Sequence, residues 1–319
     1  MRIGKMPGLV LLIMAAAILA VIVVLPLAND LERRTLDDAA RAALTGHDFV
    51  ALGDGITHYR WDGPEGGRVV VLVHGFSTPM FAWDGQVPAL ATAGFRVLRY
   101  DLFGRGYSDR PARAYTPEFF DRQLVELLDR LGISGPVDLV GLSMGGAITI
   151  NFVDRHPERV RRFALIAPAG LGVRPPGAAS VIGWPLIGGW LMRSFGDRIL
   201  LSAVDEMLGR SPEKAAAVKK RYMEQLSYRG YKAALRSTLL HMPMSGMEAA
   251  YRRVGAQARP CALFWGTADT VVPYALHAAV IAALPGVAFH SIDGGSHAVN
   301  FEEPDRINAE LVAFLRAES

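Results

Sequence analysis

The stretch Val137-Asp138-Leu139-Val140-Gly141-Leu142-Ser143-Met144-Gly145-Gly146-Ala147 sets the tightest limit on what this chain can become. It reads as a short apolar strand, a turn with one serine at its tip, and a helix that begins among glycines. Gly141 and Gly145 flank Ser143 in G-x-S-x-G spacing, and Gly146 removes further side-chain bulk. A serine on so sharp a strand-to-helix turn sits in strained backbone, and neighbours without a Cβ let the turn close. The following helix would aim its amide donors and positive dipole end at the serine, which favours negative charge developing there. A plain βα turn with a solvent-facing serine fits the same eleven residues, so the rest of the chain has to decide.

At 319 residues the chain holds one large α/β domain or two smaller ones, and with 51% hydrophobic residues it can fill a sizeable core. Charged residues make up 20% without long like-charge runs, which excludes a disordered chain. The net charge is only +3, and no basic stripe is interleaved with aromatics, so nucleic acid is not an expected partner. Cys261 is the single cysteine. An internal disulfide is thereby ruled out, as is a C-x-x-C metal or redox site. The eight histidines show no H-E-x-x-H spacing, so neither a metal nor a cofactor is expected.

The N-terminus stands apart. Gly8 to Ala28 carries no charge, and as a helix it would run about 31 Å, enough to cross a bilayer core. Arg2 and Lys5 precede it, which favours a cytoplasmic N-terminus with the rest of the chain on the far side. The competing account is a cleaved signal peptide, leaving a secreted or periplasmic protein. Against it, the apolar run is longer than a usual h-region and Pro26-Leu27-Ala28 is a poor cleavage site. The expectation is an uncleaved signal-anchor over 1–29 and a polar, Ala-rich helical connector over 30–45.

Beyond Gly46 the chain alternates strands and helices. Phe49–Leu52 and Ile56–Trp61 predict a hairpin, and Val69–Val73 is a β-branched run typical of a strand buried on both faces. Strands at Phe95–Tyr100, Val137–Leu142 and Arg161–Ala167 follow, with helices between. From 171 to 255 the pattern is helical without a convincing strand. The rhythm then resumes with Ala262–Trp265, a helix at Pro273–Leu284, a strand at Val287–Ile292 and a last helix at Pro304–Ala317. This predicts an α/β fold, a mostly parallel doubly wound sheet with a helical cap inserted after the sixth strand.

Five ordered motifs, each at a strand end, now carry a family resemblance: His74-Gly75-Phe76, Asp101-Leu102-Phe103-Gly104-Arg105-Gly106-Tyr107-Ser108, Gly141–Gly146, Gly266-Thr267-Ala268-Asp269 with Val272-Pro273, and Gly295-Ser296-His297. The chain resembles an α/β-hydrolase over nearly everything from Phe49 onward, which implies a hydrolase domain over 46–319 and a chain order of serine, acid, histidine. A serine hydroxyl is a weak nucleophile and needs a base, here His297, with an acid to hold the imidazole in the right tautomer. Asp269 is the expected acid. Asp293, Asp101 and Asp138 compete for that role. By resemblance, the backbone NH groups of Phe76 and Met144 form the oxyanion hole, and His74 is a structural hydrogen-bonder. The stretch Gly104–Asp109 lacks the third glycine of a dinucleotide loop. A serine at position 143 also speaks against epoxide hydrolase and haloalkane dehalogenase activity, since those relatives use an aspartate there.

Substrate choice falls to the cap. Val181 to Met192 is strongly apolar, and Met207, Leu208, Met223, Leu239, Met242, Met244 and Met247 continue the theme. Trp184, Leu186, Trp190 and Met207 are the expected substrate-binding residues of an acyl-chain pocket. The same residues could instead bury the cap against the sheet or seat it shallowly in a membrane. The leading expectation is a serine hydrolase of lipophilic carboxylic esters, monoacylglycerol-like. The alternatives are carbon–carbon bond hydrolysis, acyl transfer, and a noncatalytic membrane-tethered binding module. Ala298-Val299-Asn300-Phe301 counts against the first of these, where a tryptophan-rich stretch would be expected. Oligomeric state is not legible.

Overall fold

The computed structural model describes residues 8–172, 179–208 and 211–317. Arg2 and Lys5, and the cap positions 173–178 and 209–210, lie outside the described residues. Among those described, eight strands form one sheet: β1 (Asp48–Leu52), β2 (Gly55–Asp62), β3 (Val69–Val73), β4 (Arg96–Tyr100), β5 (Val137–Leu142), β6 (Val160–Ile166), β7 (Cys261–Gly266) and β8 (Ala288–Ile292). Their spatial order is β1-β2-β4-β3-β5-β6-β7-β8. The lead-in hairpin and the β2/β4 pair are antiparallel, and every later pairing is parallel. The apolar runs at β3, β5 and β7 are the strands covered on both faces, as their lack of polar alternation requires.

The N-terminal segment is helical throughout. It comprises α1 (Gly8–Leu19), a π-helical turn at Ala20–Val24, and α2 (Leu25–Asn29). Within it, Val10–Asn29 has a mean hydropathy of 3.2 and is long and apolar enough to cross a membrane, with only 6% of its most apolar window buried. It is therefore not a core helix.

The connector departs from the helix expected of it. Only α3 (Asp38–Ala42) is helical, capped by the Asp37 side chain on the Ala40 amide. Asp30 to Arg34 runs extended because its polar groups find better partners on the cap. The amides of Arg33 and Arg34 donate to the Ser227 carbonyl, and Glu32 accepts from the amides of Gly230 and Lys232. Asp30 and Asp197 both sit 2.7 Å from the buried Lys232 ammonium.

Helices α4 (Val87–Thr92), α5 (Pro117–Arg130) and α6 (Met144–Arg155) connect the first six strands. Thr116 caps α5 by accepting from the Phe119 amide, and Pro117 follows at the first helical position. After β6 the chain leaves the sheet for the cap helices α7 (Ala179–Ile182), α8 (Ile187–Leu208), α9 (Pro212–Leu226), α10 (Tyr231–His241) and α11 (Glu248–Gly255). It returns through β7, α12 (His277–Ala283), β8, α13 (Val299–Glu302) and α14 (Pro304–Arg316). One apolar cluster fills each face of the sheet, and a third lies within the cap around Val204, Tyr222, Leu226, Tyr231 and Leu235.

Candidate active site

Ser143 sits between β5 and α6 with φ 54° and ψ −118°, a conformation that side chains other than glycine rarely adopt. The surrounding glycines show why the turn can hold it. A Cβ on Gly145 would stand 2.1 Å from the Val73 carbonyl oxygen, and one on Gly141 2.4 Å from that of Gly145. One on Gly146 would stand 2.6 Å from the Pro168 ring. The bare backbone thus lets α6 press against the end of β3 while the serine projects from the tip. The Ser143 amide is fixed by the Ile166 carbonyl on β6.

His297 and Asp269 reach this serine from the far half of the chain. His297 Nε2 lies 3.0 Å from Ser143 Oγ, and His297 Nδ1 lies 2.8 Å from Asp269 Oδ2. Asp269 serves two tasks. One oxygen faces the imidazole, and the other accepts from the amides of Val271 and Val272, each at 2.9 Å. A carboxylate pinned in this way fixes the proton on His297 Nδ1 and leaves the Nε2 lone pair turned toward the serine hydroxyl. The other acids are engaged elsewhere. Asp293 pairs with the Thr267 hydroxyl, and Asp138 meets Arg68 and Arg161. Asp101, buried, accepts from the amides of Met80 and Tyr107 and contacts His58.

Phe76 lies in the loop after β3 and Met144 opens α6. Neither backbone NH donates to an acceptor among the described residues. A Cβ on Gly75 would fall 3.5 Å from Ser143 Cβ, so this loop abuts the serine. Two buried side chains hold it in place. His74 Nε2 accepts from the Leu102 amide, so its Nδ1 carries the proton and donates to the Gly75 carbonyl. Burial pushes the His74 imidazole down to about 4, which keeps the ring neutral. Arg105 donates through Nε to the Phe76 carbonyl at 2.8 Å and through Nη2 to Thr238 on α10. Sequence reasoning missed Arg105. It sits in the stretch rejected as a dinucleotide loop, and its only sequence signal was a long cation among small residues.

Above the serine lies a cavity of about 460 Å³. Its wall is mostly apolar: Phe76, Phe81, Ile182, Met192, Ile199, Leu200, Met207, Leu235, Leu239 and Val271 are among the lining residues. Among the described residues no lysine or arginine lines it, and Glu206 is the one carboxylate of the described lining. Of the four residues expected to bind substrate, Met207 lines this space. Trp184, Leu186 and Trp190 stand outside it, on the outer side of the cap.

The site thus places a serine hydroxyl in contact with an imidazole beneath a mostly apolar chamber, on a sheet interrupted once by a helical cap. The chain belongs to the alpha/beta hydrolase fold family, whose model matches residues 68–304. It is 30% identical over 263 residues to the dihydrolipoyllysine-residue acetyltransferase component of the acetoin cleaving system of Pseudomonas putida, covering 80% of this chain and 65% of that protein. It therefore spans just under two thirds of that relative. It is 28% identical over 268 residues to a 2-hydroxy-6-oxononadienedioate/2-hydroxy-6-oxononatrienedioate hydrolase of Burkholderia vietnamiensis, covering 81% of this chain and 90% of that one. Among solved structures, the enol-lactonase of Burkholderia xenovorans superposes with a TM-score of 0.73 at 26% identity, covering 85% of this chain and all of the other.

Proposed function

We propose that this protein is a membrane-anchored serine hydrolase that cleaves carboxylic esters with an apolar acyl group through an acyl-enzyme on Ser143. The observation that carries the reading is the Ser143–His297–Asp269 chain at 3.0 and 2.8 Å on the floor of the apolar cavity. His297 Nε2 takes the hydroxyl proton as Ser143 Oγ attacks the ester carbonyl. The resulting oxyanion is met by the free NH groups of Phe76 and Met144. Collapse expels the alcohol, which receives the proton held by His297, and water then deacylates the serine by the same steps in reverse.

The chamber supports an apolar acyl group over a dianionic ring-fission product. Two carboxylates buried there would lose their hydration, and no lysine or arginine among the described lining residues compensates them. Retention of the N-terminal helix as an anchor is supported by its packing. Pro26 is buried, α2 lies along α8, and the Trp190 indole donates to the Ile22 carbonyl at 3.1 Å. With Arg2 and Lys5 on the cytoplasmic side, the hydrolase domain lies on the extracytoplasmic side.

The test is labelling by a fluorophosphonate probe together with turnover of p-nitrophenyl butyrate. Wild type is expected to be labelled on Ser143 and active. Ser143→Ala is expected to lose labelling and at least about 10³-fold in kcat, in line with removal of a member of such a triad. An unlabelled wild type, or a Ser143→Ala protein with undiminished turnover, overturns the reading in favour of a binding module.

A further inference from the structure

The cap carries an apolar edge that its fold does not require. Leu186 is 91% exposed and holds φ at 64°, so a large apolar side chain stands in water on a backbone that leucine rarely adopts. This is not a frayed loop. Arg236 donates to the carbonyls of Ile182, Gly183 and Trp184, and a Cβ on Gly188 would stand 1.9 Å from the Ile182 carbonyl oxygen. Trp184 is exposed two residues before Leu186, and along α8 the exposed Ile187, Phe195 and Ile199 follow at intervals of eight and four residues, within about a third of the helix circumference.

Contacts with the N-terminal helix fix the depth of this edge. Trp190 touches Ile22, Arg193 pairs with Asp30, and Asp197 accepts from the Leu31 amide, so α8 climbs alongside α2 from apolar to charged partners. Ile22 lies seven residues before the end of the apolar span at Asn29, which is about 10 Å of helix. If Val10–Asn29 crosses a bilayer, Trp190 is at that depth, and Trp184, Leu186 and Ile187 lie further toward the start of α8. Interfacial elements bury their apolar faces about 5–10 Å deep; the start of α8 lies at or beyond the deep limit of that range, and Phe195, two residues past Arg193, at its outer boundary. The charged group of Asp30, Arg193 and Lys232 then falls at headgroup level.

We propose that Trp184, Leu186, Ile187 and Phe195 are seated in the leaflet in which the span ends at Asn29, and that the cavity draws its ester from that leaflet along the α8 stripe to Ile199. Ile199 is 63% exposed yet lines the cavity, so it belongs to both surfaces. The substrate class is accordingly a bilayer-resident lipid ester. This deepens the reading given under the proposed function and rests on it.

Two measurements on the full chain in phosphatidylcholine proteoliposomes test it. In vesicles of brominated phosphatidylcholine, tryptophan emission is expected to be quenched, with a component that disappears in Trp184→Phe. This readout does not depend on activity. The Leu186→Glu/Phe195→Glu protein is expected to lose at least tenfold in kcat/KM on a long-chain p-nitrophenyl ester dissolved in the vesicles, while p-nitrophenyl acetate turnover stays at the wild-type rate. Leu186→Asn, which relieves the backbone at 186, is expected to raise Tm in detergent while lowering the vesicle-borne rate. It decides the matter should the double variant misfold and lose both activities. A Trp184 that is not quenched, as when another protein covers this edge, overturns the proposal. So does a vesicle-borne rate unaffected by these substitutions. A wild type inactive on p-nitrophenyl acetate would sink the esterase reading instead, leaving the quenching result to stand by itself.

Discussion

Neither nitrogen of His74 is free: one accepts from Leu102 and the other donates to Gly75. Burial holds the ring down at about 4 against an ordinary 6.5, and protonation would in addition turn the acceptor into a donor facing an NH. Between these values the unfolded chain binds a proton that the folded one refuses. Stability therefore rises with pH across that window and is lost as the medium is acidified through it, by on the order of 3 kcal/mol for a gap of this size. Burial lowers His47 as well, so the comparison has to be made against a variant. Thermal unfolding from pH 7 to pH 4 is expected to fall more steeply for wild type than for His74→Gln; equal slopes would remove His74 as the cause. At this scale the sequence was most legible where the chemistry itself demands a residue type. Ser143, Asp269 and His297, expected from the ordered family motifs, do lie within hydrogen-bond reach of one another. Arg105 was not expected, because its task of gripping the Phe76 carbonyl arises only from burial among parts of the chain that sequence does not place together.

The element that presents the serine depends on absent side chains. Gly145 has no room for a methyl group because two backbone carbonyls of the β3 end, those of Val73 and His74, occupy the space at 2.1 and 2.6 Å. Backbone cannot rotate aside as a flexible side chain can, so Gly145→Ala is expected to destabilise by about 3 kcal/mol or more and to abolish labelling of Ser143. Gly135→Ala, with nothing within 4 Å of the added carbon, is expected to unfold within about 0.5 kcal/mol of wild type. Comparable losses in the two variants by urea unfolding would refute the close-approach account. Strands and helices of the sheet were legible for the same kind of reason, since apolar runs such as Val69–Val73 admit few placements. The cap was not. Its apolar residues repeat at helical spacing on several faces, and periodicity does not distinguish a chamber wall such as Ile182 from an outer edge such as Leu186. The connector misled for a different reason: an Ala-rich composition favours helix, but the donors and acceptors that hold Asp30–Arg34 lie on the cap, some two hundred residues away.

On the scale of the whole molecule, that connector joins the N-terminal helix to the cap. Lys232 is 1% exposed, and among the described residues its ammonium donates to two carboxylates, Asp30 from the connector and Asp197 from α8. The burial of Asp30 raises its carboxyl affinity for protons, yet hydrogen bonding and charge from Lys232 outweigh this and hold the group below its ordinary value. Glu32, more deeply enclosed, is pushed up by burial. Such a triad contributes little net stability over an apolar replacement, but losing one member strands the others without a counter-charge. Lys232→Met is accordingly expected to cost about 3 kcal/mol and to free the connector from the cap. Converting Asp30 and Asp197 to asparagine in the same protein removes the stranded charges while keeping an acceptor for the Leu31 amide, and is expected to recover more than half of that loss. Thermal unfolding of the detergent-solubilised full chain checks both steps, and limited proteolysis between Asn29 and Gly46 reads the freed connector directly. If Lys232→Met unfolded like wild type, or the triple variant regained nothing, the clasp would not be what ties the N-terminal helix to the cap, and the proposed orientation of the chamber would have to rest on the Trp190–Ile22 contact and the bonds of Leu31 to Arg34 with the cap.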